Sequence, residues 1–211
     1  MTHIFITGAS GFVGGAAARH LITKGHKVSA MSRSEKSDAA IRALGAMPVR
    51  CDLESIAPKH MAGVDAVIHA AAFVESWGPK DAWYKSNVLG TQAVLDAAKA
   101  AGVKRFIHIG TEAAICQGQH IDGADESYPL APNSPYPYCA TKAQAEIRVR
   151  AANTPDFTTI ILRPRFIWGP GDTTLLPSVA DMVKAGKFTW IDGGRARTST
   201  IHIDNLVHAI E

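Results

Sequence analysis

The sequence predicts a doubly wound parallel α/β sheet. Apolar runs rich in branched residues alternate along the chain with segments of helical periodicity. Strands that alternate with helices pair in parallel through right-handed crossovers. A glycine-rich stretch, TGASGFVG at residues 7–14, follows the first apolar run and opens the first helical pattern. Helices are therefore expected on both faces of one sheet.

The apolar patterns place the elements in order. We predict strands at residues 3–7, 27–31, 47–51, 65–70, 105–110 and 158–163. We predict helices at residues 14–24, 37–44, 81–101 and 138–152. Gly25 and Gly102 stand just past the first and third helices, where a left-handed residue commonly ends a helix. Residues 120–138 carry four prolines and little periodicity, which predicts a long loop.

Composition indicates an ordinary globular chain. Of 211 residues, 46% are hydrophobic and 19% are charged, and the net charge of +3 includes no basic run that would predict a nucleic-acid or membrane surface. No apolar stretch reaches the roughly 18 residues that a membrane span needs, and the amino terminus lacks a signal-peptide pattern, so we expect a cytoplasmic protein. The cysteines, Cys51, Cys116 and Cys139, lack ligand spacing, so we expect reduced thiols and no metal site.

The glycine-rich stretch has two interpretations. Gly8, Gly11 and Gly14 recur at every third position where a strand delivers the chain to the amino end of a helix. Unpaired N–H groups and the helix dipole favour an anion there, and glycine permits its close approach. The stretch is therefore interpreted as a cradle for the pyrophosphate of a dinucleotide. The alternative is a tight turn that binds nothing.

Six motifs occur in an order typical of one family. They are TGASGFVG, HAAA (69–72), NVLGT (87–91), YCATK (138–142), RPRFIWGPGD (163–172) and IHIDNLVHA (201–209). Together they resemble the extended short-chain dehydrogenase/reductase family, the NAD(P)-dependent epimerase/dehydratase group. The resemblance implies a Rossmann domain at residues 1–165 and, at residues 166–211, the start of a small, incomplete substrate-binding lobe interleaved with the last sheet elements. We expect a truncated chain, because the sequence stops inside a helix that begins at about Asp204.

The segment MSRSEKS after the second predicted strand bears on the choice of cofactor. NAD-selective sites normally carry a carboxylate here, but the sequence has Ser32 followed by Arg33, which favours the phosphate of NADP. In the alternative, Arg33 is solvated and Glu35 binds the ribose. Asp52 resembles the aspartate that contacts adenine in the family, or it caps a helix. The expected cofactor contacts are Gly8, Ser10, Gly11, Phe12, Val13, Gly14, Ser32, Arg33, Asp52, Leu53, Ala70, Ala71, Ala72, Tyr138, Lys142 and Arg163.

Tyr138 and Lys142 are four residues apart, so they share one face of a helix. The resemblance implies that Tyr138 is the general acid/base and that Lys142 holds the nicotinamide ribose. We expect the ammonium to lower the pKa of the phenol. The resemblance also places Thr111 at the reacting oxygen and gives Asn87 a proton-relay role. The alternatives are a threonine that caps a turn and an asparagine that packs or kinks a helix.

The motifs favour one reaction within this group. Nucleotide-sugar dehydratases use an Asp-Glu pair, but here Ala113 follows Glu112, and Thr198 replaces the arginine of many nucleotide-sugar enzymes. The resemblance therefore leans towards hydroxysteroid dehydrogenases and dihydroflavonol-reductase-like enzymes, oxidoreductases that transfer a hydride to or from a carbonyl or alcohol. The aromatic candidates for a wall facing a hydrophobic small-molecule substrate are Phe73, Trp77, Trp83, Phe166 and Trp168.

Two other functions stay open. One is a nucleotide-sugar epimerase, and the other is a non-catalytic NADP-binding sensor or scaffold. The resemblance also implies a homodimer, formed through the helices predicted at residues 81–101 and 138–152.

Overall fold

Six parallel strands form the central sheet of the computed structural model, which describes residues 1–74 and 77–211. The strands are β1 (His3–Thr7), β2 (Lys27–Ser32), β3 (Met47–Arg50), β4 (Ala66–His69), β5 (Arg105–Ile109) and β6 (Thr158–Leu162). Their order is β3-β2-β1-β4-β5-β6, with Ile4 opposite both Val28 and Ala66. The predicted parallel sheet is thus confirmed. The order reverses between β1 and β4, and ligands of such sheets bind in the crevice at the carboxyl ends of the strands there.

The helices lie close to the predicted segments, apart from one at residues 175–184, where no helix is predicted. They are α1 (Phe12–Thr23), α2 (Glu35–Ala43), α3 (Lys80–Trp83), α4 (Gly90–Ala100), α5 (Pro137–Ala151), α6 (Leu175–Lys184) and α7 (Ile203–Ile210). Short 3₁₀ turns cover Pro58–Met61, Glu112–Ile115 and Ile191–Gly194. The helix predicted at residues 81–101 is divided, because a π-helical segment, Tyr84–Leu89, joins α3 to α4. Gly25 and Gly102 have φ of +83° and +77°, which confirms the left-handed ends of α1 and α4.

Side chains of the sheet enter two hydrophobic cores. In β1, Ile4 and Ile6 face the core beneath α1, α2 and α7, whereas Phe5 faces the core beneath α4 and α5. This alternation follows from the two-residue period of a strand. Both faces of the sheet are covered, which explains why its strands are almost continuously apolar.

The carboxyl-terminal segment returns to the sheet. Two short strands, β7 (Ile167–Trp168) and β8 (Ile201–His202), pair in parallel. After them, α7 buries Leu206 and Ile210 in the same core as β1. Between the two strands, α6 buries none of its described side chains. Within the described residues, every helix is too short or too polar to cross a membrane.

Candidate active site

The turn after β1 brings two backbone segments close together. Gly8 has a φ of +78°, and a Cβ atom built on it would lie 2.8 Å from the backbone nitrogen of Ala71, just after β4. A Cβ atom on Gly14 would lie 2.7 Å from the carbonyl carbon of Gly8. Gly11 immediately precedes α1, and none of the described side chains caps the first turn of that helix. The turn therefore has no side chain at Gly8 or Gly11, next to the free N–H groups of the helix.

A buried chain of hydrogen bonds fixes the ends of β1 and β4. The Thr91 hydroxyl donates to the carbonyl of Asn87 (2.6 Å) and lies 2.9 Å from Nε2 of His69. Nε2 must therefore carry the proton, and Nδ1 accepts from the hydroxyl of Thr7 at 2.7 Å. That hydroxyl in turn accepts from the N–H of Ala71 (3.1 Å). Burial lowers the pKa of His69 to about 3, so the ring is neutral and the network holds the backbone of Ala71 in place.

Ser32 and Arg33, which are predicted to favour NADP over NAD, lie at the end of β2. The hydroxyl of Ser32 is buried and lies 2.6 Å from that of Ser37, while Ser34 caps α2 by accepting from the N–H of Ser37. Arg33 is exposed and forms no ion pair with any described residue. Within this part of the chain, Lys36 is likewise exposed and forms no ion pair with a described residue, and Arg33 is the cation directly after Ser32.

Asp52 caps a turn at residues 53–55 instead of a helix. Its carboxylate accepts from the N–H groups of Glu54 and Ser55 and from the hydroxyl of Ser55, at 2.7 to 3.0 Å. These hydrogen bonds, above all the one from the Ser55 hydroxyl, lower the pKa of Asp52. Leu53 packs against the core under α4. The contact of Asp52 with adenine stays a prediction.

Thr111 and Tyr138 line one cavity beyond the end of β5. The cavity has a volume of about 350 Å³ and is lined by Gly110, Thr111, Glu112, Ala113, Tyr138, Pro164, Phe166 and Ile167. Thr111 starts the turn Glu112–Ile115, where its hydroxyl accepts from the N–H of Ala113 (3.2 Å) and donates to the carboxylate of Glu112 (2.9 Å). Lys142, one turn after Tyr138 on α5, is buried, and its ammonium donates to the carbonyl of Ile109 (3.0 Å).

Comparison with known proteins identifies the family. The profile of the NAD dependent epimerase/dehydratase family matches residues 4–211. The chain belongs to this family. It is 43% identical over 205 residues to 4-hydroxy-2-methyl-3-oxo-4-farnesyl-3,4-dihydroquinoline-1-oxide ketoreductase of Stigmatella aurantiaca, covering 96% of this chain and 61% of that protein. It is 39% identical over 211 residues to 2-alkyl-3-oxoalkanoate reductase of Stenotrophomonas maltophilia, covering 98% and 63%.

A solved structure agrees with the fold. The Bordetella bronchiseptica enzyme WbmH, in complex with NAD⁺, superposes with a TM-score of 0.82 at 21% identity, over 100% of this chain and 71% of that one. The predicted Rossmann-type fold and the predicted family are thus confirmed. Hydroxysteroid and sterol dehydrogenases are also among the relatives. The chain spans about three fifths of the length of the curated relatives it matches.

Members of this family use a nicotinamide dinucleotide, and the residues present fit one. The positions of Gly8 and Gly14 leave no room for a side chain, and the first turn of α1 offers N–H groups that no described side chain caps. Free N–H groups of this kind bind phosphate. Tyr138 and Lys142 lie one turn apart on α5, at the same edge of the sheet. The glycine turn thus suits the pyrophosphate, and α5 suits the ribose and nicotinamide.

The pKa of Tyr138 shifts in the direction opposite to the one expected. Burial raises the pKa of the phenol to about 12, the hydroxyl of Thr111 opposes this, and the charge of Glu112 adds to it. The ammonium of Lys142 points to the carbonyl of Ile109 instead. Burial lowers the pKa of Lys142 to about 8, against the opposing charge of Glu146. The phenol is consequently protonated at neutral pH.

Two other predicted site residues make structural contacts. Asn87 accepts from the N–H of Phe73 (2.7 Å) and donates to the carbonyl of Phe73 (3.1 Å) and to the hydroxyl of Thr141 (3.3 Å). The guanidinium of Arg163 forms an ion pair with the buried carboxylate of Glu146 at 2.6 Å. Nε and Nη2 of Arg163 both donate to Glu146, which leaves Nη1 for any contact with a cofactor.

The five aromatic residues predicted to line the substrate site lie in different surroundings. Phe166 lines the cavity and adopts a φ of +41°, a strained value for an aromatic residue. Trp83 is buried and packs edge-on against Phe73, with ring centroids 5.2 Å apart. Trp168 packs against the ring of His202, and Trp77 is exposed. Phe166 is thus the member of this group that faces the candidate site.

Sequence reasoning missed Arg165. Its guanidinium forms an ion pair with Glu112 at 3.2 Å, donates from Nε to the hydroxyl of Thr198 at 2.7 Å, and lies 4.9 Å from the ring centroid of Phe166. Its position inside RPRFIWGPGD, directly after β6, was the available signal, because side chains at the carboxyl ends of parallel strands converge.

Proposed function

We propose that this chain carries the cofactor-binding and catalytic residues of an NADP-dependent ketoreductase. The observation that carries the proposal is that Thr111 and Tyr138 line one cavity, at the sheet edge where the glycine turn also lies. The relatives support a ketone as substrate: their names specify a 3-oxo compound with a farnesyl group on the neighbouring carbon and a 3-oxoalkanoate with a neighbouring alkyl group. The substrate proposed here is a hydrophobic 3-oxo compound, branched next to the carbonyl.

The side chains act on the carbonyl oxygen. Tyr138 is protonated at neutral pH and gives its proton to this oxygen as general acid, and in the reverse reaction the phenolate takes it back. Thr111, on the same cavity wall, orients the oxygen through its hydroxyl. Lys142 stays mainly cationic at pH 7 and holds the ribose. A reduced nicotinamide, when bound, supplies the hydride for the carbonyl carbon.

A matched pair of tyrosine variants tests this function. The full-length protein is incubated with NADPH and a panel that contains a 2-alkyl-3-oxoalkanoate methyl ester, a 3-oxosteroid and a nucleotide sugar. We expect turnover of the ketones and a loss of about 10³-fold in kcat for Tyr138→Phe, within the range that general acid catalysis contributes. Tyr136→Phe is the control, because Tyr136 is half exposed two residues earlier. Turnover of the nucleotide sugar alone would make the protein an epimerase. Cofactor binding without turnover of any substrate would make it a sensor.

The preference for NADP rests on Arg33. Ser32 offers no carboxylate to the ribose, and the exposed guanidinium beside it suits a phosphate. We expect Arg33→Ala to raise the KM for NADPH about 10- to 100-fold, corresponding to the loss of one charge-assisted contact, with little change for NADH. Arg19→Ala, an exposed change on α1, is the control. Equal losses with both cofactors would contradict the preference.

The proposed assembly is a homodimer. Leu89, at the end of the π-helical segment, and Ile147 on α5 are exposed apolar side chains on the two helices that the family resemblance assigns to the interface. Sedimentation velocity of wild type and Ile147→Glu checks this assembly. We expect a dimer that the variant dissociates, and a wild-type monomer would contradict it.

A further inference from the structure

We propose that Arg165 binds a carboxylate of the substrate, attached to the carbon next to the reacting carbonyl. This inference rests on the proposed function, which supplies the carbonyl. The names of the two relatives leave the charge of the substrate open, since one names an alkanoate and the other a quinoline oxide. The cation that pairs with Glu112 at the wall of the cavity, Arg165, favours the acid.

Arg165 is held ready for an anion. Its Nε donates to the hydroxyl of Thr198, and its Cζ lies over the ring of Phe166, 4.9 Å from the ring centroid. These contacts hold the guanidinium in place while its Nη1 pairs with Glu112. A planar guanidinium binds a carboxylate through two parallel hydrogen bonds, which a lysine cannot reproduce.

The carboxylate of Glu112 bridges Thr111 and Arg165. One of its oxygens accepts from the hydroxyl of Thr111 at 2.9 Å, and the other pairs with Arg165 at 3.2 Å. A 3-oxo acid presents the same two acceptors a few ångströms apart, a carbonyl oxygen for Thr111 and a carboxylate for Arg165. Glu112 therefore occupies the two donors that such a substrate would use.

The exchange of carboxylates is feasible. The ion pair is partly exposed, with side-chain exposures of 37% for Arg165 and 29% for Glu112, and exposed ion pairs contribute little stability. Glu112 can turn to water while the substrate carboxylate takes its place. The exchange also frees the hydroxyl proton of Thr111 for the carbonyl oxygen. The apolar wall of Pro164, Phe166 and Ile167 remains for the alkyl chain.

An acid and its ester test the subsite. The full-length protein oxidises 2-butyl-3-hydroxyoctanoate or its methyl ester with NADP⁺, and the ratio of kcat/KM for acid over ester is measured. We expect Arg165→Gln to lower this ratio at least tenfold and Arg165→Lys to lower it less. Glu112→Gln should raise the ratio, because the competing carboxylate is gone. Arg195→Gln makes the same charge change at an exposed arginine, and its ratio should equal that of wild type.

An equilibrium measurement separates the two proposals. Calorimetric titration of the hydroxy acid into the protein with NADPH measures binding without turnover, and we expect Arg165→Gln to weaken it at least tenfold. An unchanged kinetic ratio together with unchanged binding would overturn the subsite. Binding that depends on Arg165 without turnover of any alcohol or ketone would instead uphold the subsite and contradict the proposed function.

Discussion

Gly8 allows the backbone segments that follow β1 and β4 to pack closely together. Its positive φ excludes most side chains, and the backbone after β4 occupies the space that a Cβ atom would need. Because Gly8 has no side chain, the backbone after β1 can lie against the backbone after β4, where the strand order reverses. The proposed pyrophosphate site and the packing of the sheet both require that this position carry no side chain.

Replacing Gly8 by alanine measures two effects, the cost of a positive φ and the clash of a Cβ atom with Ala71. We expect Gly8→Ala to lower the free energy of unfolding by about 2 to 4 kcal/mol, of which about 1 kcal/mol comes from φ and the rest from the clash with Ala71. Gly63→Ala is the control, because Gly63 has a φ of +69° and open space around its Cβ position. Urea unfolding measures both variants. Equal losses would show that the close contact with Ala71 contributes nothing.

The buried ammonium of Lys142 should make the free energy of unfolding rise with pH. Burial lowers the pKa of its ammonium to about 8 in the folded chain, whereas an unfolded lysine has a pKa near 10.4. Between these values the unfolded chain binds more protons, so the contribution of Lys142 to the free energy of unfolding rises with pH, by roughly 1 to 3 kcal/mol. Below pH 8 the full cost of burying the charge is present.

Unfolding at several pH values checks this dependence. Lys142→Met removes the buried charge, so we expect the stability of the variant relative to wild type to be greatest at pH 7 and to decline towards pH 10. Lys85→Met, at an exposed position, should show no such trend. A difference between Lys142→Met and wild type that stays constant from pH 7 to 10 would contradict the lowered pKa.

At the scale of elements, the π-helical segment Tyr84–Leu89 connects three parts of the molecule. It carries Asn87, whose amide satisfies both backbone groups of Phe73 and reaches Thr141 on α5. It also leads directly into Thr91, the end of the buried network that includes His69. The loop after β4 is therefore held by a helix that begins beyond it.

Asn87→Ala tests this connection. The change leaves the N–H and carbonyl of Phe73 without partners, so we expect a loss of about 2 to 3 kcal/mol in the free energy of unfolding and faster hydrogen exchange at Phe73. Lys85→Ala changes an exposed residue of the same segment and should cost less than about 0.5 kcal/mol. Equal stability of the two variants would contradict this role.

Local signals explain which elements were predictable. The strands were found because apolar runs mark them, and the ends of α1 and α4 because Gly25 and Gly102 take positive φ. The π-helical segment carries no such signal, since its composition suits an ordinary helix. The glycine turn and the pair Tyr138 and Lys142 were visible as motifs for the same local reason.

Long-range contacts explain what was missed. The position of the Arg165 guanidinium depends on a hydrogen bond to Thr198, which lies 33 residues further along the chain. The raised pKa of Tyr138 arises from burial, and the ammonium expected to lower it is directed to the carbonyl of Ile109. Each of these depends on how separate segments pack, which no short motif records.

At the scale of the whole molecule, α7 completes a core that begins with β1. Leu206 is 2% exposed and lies in the same cluster as Ile4 and Ile6. Residues about 200 positions apart therefore share one hydrophobic interior. The division predicted at residue 165 separates sequence motifs, whereas this core extends across it.

Leu206→Ala measures the contribution of α7. A fully buried leucine leaves a cavity on truncation, so we expect a loss of about 2 to 5 kcal/mol in the free energy of unfolding. His208→Ala, on the exposed face of the same helix, should cost less than about 0.5 kcal/mol. Urea denaturation compares the two, and a small loss for Leu206→Ala would show that α7 packs only loosely.

The docking of α7 also has a consequence during synthesis on the ribosome. Ribosomes add about 5 to 20 residues per second, so the roughly 200 residues between β1 and α7 take about 10 to 40 s to make. During that time α1 and α2 are already available to cover this face of β1, but the contacts that Leu206 and Ile210 of α7 contribute to the same core are absent. Until α7 emerges, the nascent chain therefore leaves exposed the part of this core that Leu206 and Ile210 later cover.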